Sequence, residues 1–243
     1  MATATVSPTS FNRRSYVYRL LDAKGAEWAA IRDSAVAMRL GRSVDEEVGI
    51  GRRLALTDLS PLPRTGFKGT GTVEWLTAQG MTIGPDSNMA YRQADGSLAA
   101  RLAPTEIFLI DSLKGEAGLI DRLNGARNWG AEKPRKLIGY PMPRSESHCW
   151  FMVSGWQAPA MFAKMCGVDL RAHKFKQGQI AQTSVAKISA ILIRDYFGEM
   201  PAYHLLTDSA SAEYMWGCLV DAMAEFDGQP IGLSALRRLA EAR

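Results

Sequence analysis

Apolar positions along the chain fall into short runs punctuated by glycine, and one arrangement of those runs occurs twice. Leu54–Gly69 (LALTDLSPLPRTGFKG) reads as strand, proline-marked turn, strand. The helical segment TGTVEWLTAQG follows, with Val73, Leu76 and Trp75 on its buried face. Thr70 or Thr72 is its expected N-cap and Gly80 its stop. Extended segments Leu98–Leu102 and Glu106–Asp111 flank a turn at Pro104, and a short helix around Glu116–Asn124 completes the first half. The second half opens on a buried strand, Cys149–Gly155, then a helix through WQAPAMFAKMC that stops at Gly167. Strands are expected at Thr183–Asp195 and Ala202–Thr207, and a helix at Ser209–Phe226. That last helix places Ala212, Trp216, Leu219, Val220 and Met223 on one side, a core stripe, with Asp208 or Ser209 as cap.

Both halves therefore read strand–Gly–helix–Gly–strand–strand–helix, with Gly69 and Gly155 at equivalent strand-to-helix turns. The repeat is one of pattern, not of residues. It predicts an α+β protein built of two pseudo-repeated strand–helix–strand–strand–helix subdomains. The expected division is an N-terminal tail and helical segment over 1–50, with Glu27–Leu40 as the helix-forming part. A folded region follows over 51–226, with halves about 51–125 and 145–226, and a C-terminal tail over 227–243.

Composition narrows the class without naming a chemistry. The 243 residues are 47% hydrophobic and 22% charged, an ordinary globular balance. No apolar run approaches the roughly 20 residues of a membrane-spanning helix, and no apolar stretch precedes Arg13–Arg14 as a secretory signal requires. Three cysteines, Cys149, Cys166 and Cys218, lack CxxC spacing and predict neither a disulfide framework nor a zinc site. The expected compartment is the cytoplasm. Net charge is +4, but six bases (Arg122, Arg127, Lys133, Arg135, Lys136, Arg144) face one acid, Glu132, between Arg122 and Arg144. With Pro134, Pro141 and Pro143 and no nucleic-acid-binding motif, this stretch reads as linker or partner contact rather than a nucleic-acid surface.

Candidate chemistry is sparse. His148 and Cys149 are neighbours on a strand and point to opposite faces, so they do not share a metal. His204, in the strand YHLL, reads as a satisfied core histidine, and His173, in RAHKFK, as exposed. Cys166 and Cys218 read as small core residues. Gly69-Thr70-Gly71 opens a helix, where capping is the expected role rather than phosphate binding. No HExxH, GxSxG, Walker A or GxGxxG occurs. No catalytic residue and no metal ligand is assigned.

The segments CGVDLRAHKFKQGQIAQTSVAKISAILIRD and PAYHLLTDSASAEYMWGCLVDAMAEF resemble the gamma subunit of heterotetrameric sarcosine oxidase. ALTDLSPLPRTGFKG is similar to the opening of that family and of the wider aminomethyltransferase-like folate-binding group. The resemblance spans roughly Leu54 to Phe226 and implies a pair of intertwined strand–helix subdomains of the aminomethyltransferase folate-binding type, without the C-terminal barrel. It implies partners as well: alpha, beta and delta subunits, with FAD, FMN, NAD and tetrahydrofolate bound on other chains. Such a complex oxidises sarcosine to glycine, passing the methyl carbon to tetrahydrofolate and electrons to oxygen.

This sequence departs from the catalytic relatives where an acid is needed. The corresponding stretch, Asp95–Leu102 (DGSLAARL), carries Ala99 and Ala100 where carboxylates are expected. An alanine side chain neither accepts a proton nor stabilises an iminium. KFKQGQ, Lys174–Gln179, lacks the cysteine found in related iron–sulfur-assembly proteins. The expectation is a mainly structural subunit without a cofactor of its own. The alternative is a free-standing tetrahydrofolate-binding one-carbon transfer protein, with Arg101 or Arg127 meeting the glutamate tail.

Overall fold

The computed structural model describes residues 5–126 and 140–241. The chain divides into two compact units: 1–62 with 148–243, and 63–147. The second unit is thus an insertion within the first. These divisions fall elsewhere than the halves suggested by the strand–helix repeat.

The first unit begins with α1 (Tyr18–Asp22) and a hairpin of β1 (Ala26–Ile31) and β2 (Ser34–Leu40). Glu27–Leu40 is therefore extended, not helical. Arg32 takes φ 56° at the turn, reversing the chain without a glycine, and pairing overrides the helix-forming alanines and leucine. Residues preceding the hairpin pack as well: Val6 N–H donates to Trp28 O at 3.0 Å, where a tail was expected. Then comes α2 (Val44–Arg53), opened by a capping box in which Ser43 and Glu46 satisfy each other's backbone amides. Glu47, fully buried, accepts from Leu40 N–H and Gly232 N–H and ties α2 to both ends of this unit. β3 (Ala55–Asp58) leads to the inserted unit.

That unit runs β4 (Arg64–Lys68), α3 (Thr72–Ala78), β5 (Met89–Arg92), β6 (Leu98–Ala103), β7 (Glu106–Ile110), α4 (Gly118–Gly125) and the short β8 (Tyr140–Pro141). Its sheet has the order β5-β6-β7-β4-β8. Phe67, Ala99, Ile107 and Leu109 on one face pack with Leu76, Ile120 and Leu123 from the helices. The N-cap of α3 is Gly71 with no side-chain cap bond, not Thr70 or Thr72. Thr72 is buried inside the first turn.

The chain returns through β9 (His148–Ser154), α5 (Ala158–Phe162), β10 (Ile180–Val185), β11 (Ile188–Phe197), β12 (Met200–Asp208), α6 (Ala212–Ala224), β13 (Gln229–Pro230) and α7 (Leu233–Glu241). The sheet order is β10-β11-β12-β9-β3-β13. The single strand expected over Thr183–Asp195 is two, because Ala186 and Lys187 both adopt positive φ and close a tight hairpin. The expected C-terminal tail is β13 plus α7, which buries Leu233, Leu236 and Leu239. Helix α5 is shorter than expected because the chain leaves the α-helix after Phe162, with Lys164 and Met165 N–H donating three residues back to Met161 O and Phe162 O. Asp208 caps the turn before α6 through Ala210 N–H. Trp216, Leu219 and Met223 form the expected core stripe, with Trp216 edge-on to Phe151 at 5.4 Å.

The architecture is α+β, and the repeat is visible as topology. In each unit the four repeat strands lie in the order second, third, fourth, first. Gly69 N–H donates to Thr105 O and Gly155 N–H to Pro201 O, so both strand-to-helix turns bind the following hairpin in the same way. The repeat holds three strands between its helices, one more than the pattern suggested. Among the described residues no sheet closes into a barrel, and no helix is long and apolar enough to cross a membrane.

Candidate functional site

Asp95–Leu102, the segment expected to correspond to the acid-bearing stretch of catalytic relatives, is in the structure a turn followed by β6. Asp95 is exposed, and its Oδ1 accepts from Ser97 N–H (3.0 Å) and Ser97 Oγ–H (2.6 Å). These bonds make Asp95 a turn-former at the tip of the β5–β6 hairpin. Ala99 and Ala100 lie within β6, both fully buried and paired with β7. Asp95 also borders a cavity of about 320 Å³ with Asp111, Glu116 and Arg122. Asp111 accepts from Ala117 N–H there and sets the start of α4.

The cations proposed for a folate tail divide. Arg101 donates to Gly84 O (2.6 Å) and Pro104 O (3.2 Å), so its guanidinium is committed to backbone. Arg127 lies outside the described residues, as do Lys133, Arg135 and Lys136 of the basic stretch. Of that stretch's described members, Arg122 donates to Gln79 O. Arg144 pairs with Glu106 at 2.6 Å and stacks over Phe108.

The histidines separate as their positions suggest. His173 is exposed, and His148 opens β9, half-buried beside buried Cys149. His204 is buried at the centre of a polar chain spanning three strands. Trp150 Nε1–H donates to His204 Nδ1 at 3.0 Å, and His204 Nε2 faces Asp195 Oδ2 at 3.4 Å. Because Nδ1 accepts, the ring proton sits on Nε2 and points to the carboxylate. This is a satisfied core histidine. Among the described residues no group of His, Cys, Asp and Glu is arranged to hold a metal ion.

A concavity of about 700 Å³ lies in the first unit, bordered by Trp156, Pro159, Asp169, Arg171, Arg194 and Pro201 among others. Arg194 is 2% exposed. Its Nη1 donates to Leu170 O and Phe175 O, both at 2.9 Å, and the guanidinium stacks over Tyr196 (4.6 Å) and Tyr203 (5.3 Å). The Tyr203 hydroxyl donates to Leu170 O at 2.6 Å, and burial pushes its pKa up to about 12, so it stays a donor. Asp169 is clamped by Arg171 Nε (2.8 Å) and Nη2 (2.6 Å), which hold its carboxyl well below the usual carboxylate range. Sequence reading missed Arg194. A lone arginine at the end of an apolar strand run (SAILIRD) was the available signal, since burying it demands dedicated partners.

The strand order, the duplicated strand-to-helix turn and the absence of a barrel among the described residues define a class. Residues 95–241 match the GCVT N-terminal domain family, and the chain belongs to that family. Within it, the chain is similar to sarcosine oxidase subunit gamma of Corynebacterium sp. (strain P-1), 26% identical over 237 residues, covering 95% of this chain and 100% of the relative. A chain of the heterotetrameric sarcosine oxidase from Corynebacterium sp. U-96 in complex with pyrrole 2-carboxylate shares the fold. The TM-score is 0.62 at 24% identity, covering 89% of this chain and 97% of that one. The glycine cleavage system aminomethyltransferase T from Bartonella henselae superposes with TM-score 0.69 at 16% identity, covering 94% of this chain but only 62% of its own length.

The residues at Asp95–Leu102 do not fit the tetrahydrofolate chemistry of the catalytic relatives. The two positions expected to hold carboxylates are buried alanines, and the one nearby acid is occupied in its own turn. No step of one-carbon transfer is supported by that segment.

Proposed function

We propose that this chain is the gamma subunit of a heterotetrameric sarcosine oxidase-type complex and acts mainly as a structural subunit. The observation that carries this reading is the end-to-end match to a gamma subunit, 95% of this chain against 100% of the relative. The aminomethyltransferase likeness, in contrast, leaves over a third of that enzyme without a counterpart here. The alanines of β6 support the same reading, since a subunit without chemistry of its own needs no acid there. In this reading the alpha, beta and delta chains are its partners, and FAD, FMN, NAD and tetrahydrofolate bind on those chains. The assembled complex oxidises sarcosine to glycine in the cytoplasm.

Co-expression with the alpha, beta and delta chains, followed by size-exclusion chromatography and an oxidase assay, tests it. The expected result is co-elution of all four chains, with oxidase activity lost when this chain is omitted. A chain that stays apart from those partners, or a fully active complex formed without it, overturns the proposal.

A further inference from the structure

Arg194 raises a question that assembly does not answer: which anion its charge is meant for. A buried guanidinium is costly unless it is paired, yet Arg194 forms no ion pair among the described residues. Its fixed partners are two neutral carbonyls and two aromatic faces. Nε is fully buried with no acceptor, and Nη2 makes no hydrogen bond to any described residue. The carboxylate that borders the same cavity on Asp169 is already held three times by Arg171, through the backbone N–H, Nε and Nη2. The cavity beside Arg194 has the volume of a small-ligand site. Besides Arg194, its border carries the charged Asp169, Arg171 and Glu199 among apolar residues, and Trp156 stands 59% exposed there.

From this we infer that the cavity binds a small organic monocarboxylate. Its carboxylate accepts from Nη2 of Arg194, and its apolar body lies against Trp156 and Pro159. Leu192, adjacent but one along β11, belongs to the helix-packed core, so Arg194 lies on the helix-covered face of the sheet. His204 and Asp195 alternate to the other face. The site is therefore separate from the Trp150–His204–Asp195 chain. None of the residues that border the cavity comes from the Asp95–Leu102 segment. Glu199 is exposed on the same border and carries the wrong charge for such a ligand, which gives the inference a signed test. The inference does not rest on the subunit reading.

The experiment is calorimetric titration of the full-length chain with benzoate, and with benzamide as its neutral isostere. Benzoate is expected to bind and benzamide to bind at least tenfold more weakly. Arg194→Gln should weaken benzoate by about 10–100-fold, the range expected for losing a hydrogen bond to a charged group. Because Arg194 is buried, that variant can fail to fold. Two exposed-site variants then decide. Ala163→Trp fills the cavity and should abolish binding with the fold intact by circular dichroism, while Glu199→Gln should tighten it. No benzoate binding at 10 mM or so, a Kd corresponding to less than about 3 kcal/mol, overturns the inference. So does equal binding of benzamide, or benzoate binding unchanged in Ala163→Trp.

Discussion

The two units share a strand order and differ in what they bury. In the inserted unit the central pair β6–β7 presents alanine, leucine, isoleucine and phenylalanine, and its one cation, Arg101, is tied to loop carbonyls. In the other unit the equivalent pair β11–β12 buries Arg194, Asp195 and His204, each held in a specific polar arrangement. A duplicated backbone thus does not imply duplicated chemistry. Backbone hydrogen bonds and an apolar face per sheet suffice for the topology. A buried ionisable group needs partners, since each unsatisfied one costs about 1–3 kcal/mol or more, and Arg194 meets that need only in part. The larger unit, with its extra hairpin and three extra helices, has the enclosing elements to supply such partners.

The equivalence of the strand-to-helix turns can be broken most severely at Gly155. Its φ is 115°, and a Cβ would lie 2.3 Å from Arg53 O, an atom of backbone that cannot rotate away. Gly155→Ala should destabilise by more than about 4 kcal/mol, beyond the usual range for single substitutions. Gly69 has φ 139°, so Gly69→Ala should cost the strain of about 1–3 kcal/mol. Equal losses in chemical denaturation would show that the turns are interchangeable after all.

Core truncation probes the units separately. Leu219 in α6 and Leu123 in α4 are both fully buried, each in its own unit's core. Replacing either with Ala should cost about 2–5 kcal/mol. Hydrogen exchange should rise first in β9, β11 and β12 for Leu219→Ala, and in β6 and β7 for Leu123→Ala. In the proposed complex Leu219→Ala should also lower assembly and oxidase yield.

A pH dependence is expected from Glu47, buried in the larger unit. Burial raises its pKa above the ordinary glutamate value, against the opposing pull of the Gly232 and Leu40 amides. A raised folded pKa means that the folded state holds the proton more tightly than the unfolded chain. This group's contribution is therefore most favourable below the ordinary value and declines as pH rises through the raised one. In urea titrations across the acidic range, Glu47→Gln should remove that decline. A variant with an unchanged stability–pH slope would refute the assignment.

The smallest effect should come from Asp95→Asn. The amide oxygen can still accept from Ser97, so stability should change by less than about 0.5 kcal/mol, and turnover of the assembled complex should stay unchanged. A loss of about 10²–10⁴-fold with assembly intact would instead identify a general base and overturn the structural role.

Much of the fold was legible where local pattern and tertiary demand agree. The stripe Trp216, Leu219 and Met223 gives one long apolar face, and Asp208 caps the turn that leads into it, so propensity and packing point to the same helix. Gly69 and Gly155 marked the duplicated turns because their positive φ excludes side chains. Leu98–Leu102 read as extended from its apolar run, and β6 spans Leu98–Ala103. What the sequence left open was decided by long-range pairing. Glu27–Leu40 consists largely of residues that favour helix, yet hydrogen bonds between β1 and β2 make it a hairpin. Ala186–Lys187 turns without glycine because its two strands are already paired. Residues 233–241 looked like a tail until α2, which packs against α7, supplied a surface for their leucines. Arg194 was invisible for the same reason. A single arginine carries no sequence periodicity, and only the tertiary structure brings Leu170, Phe175, Tyr196 and Tyr203 around its charge.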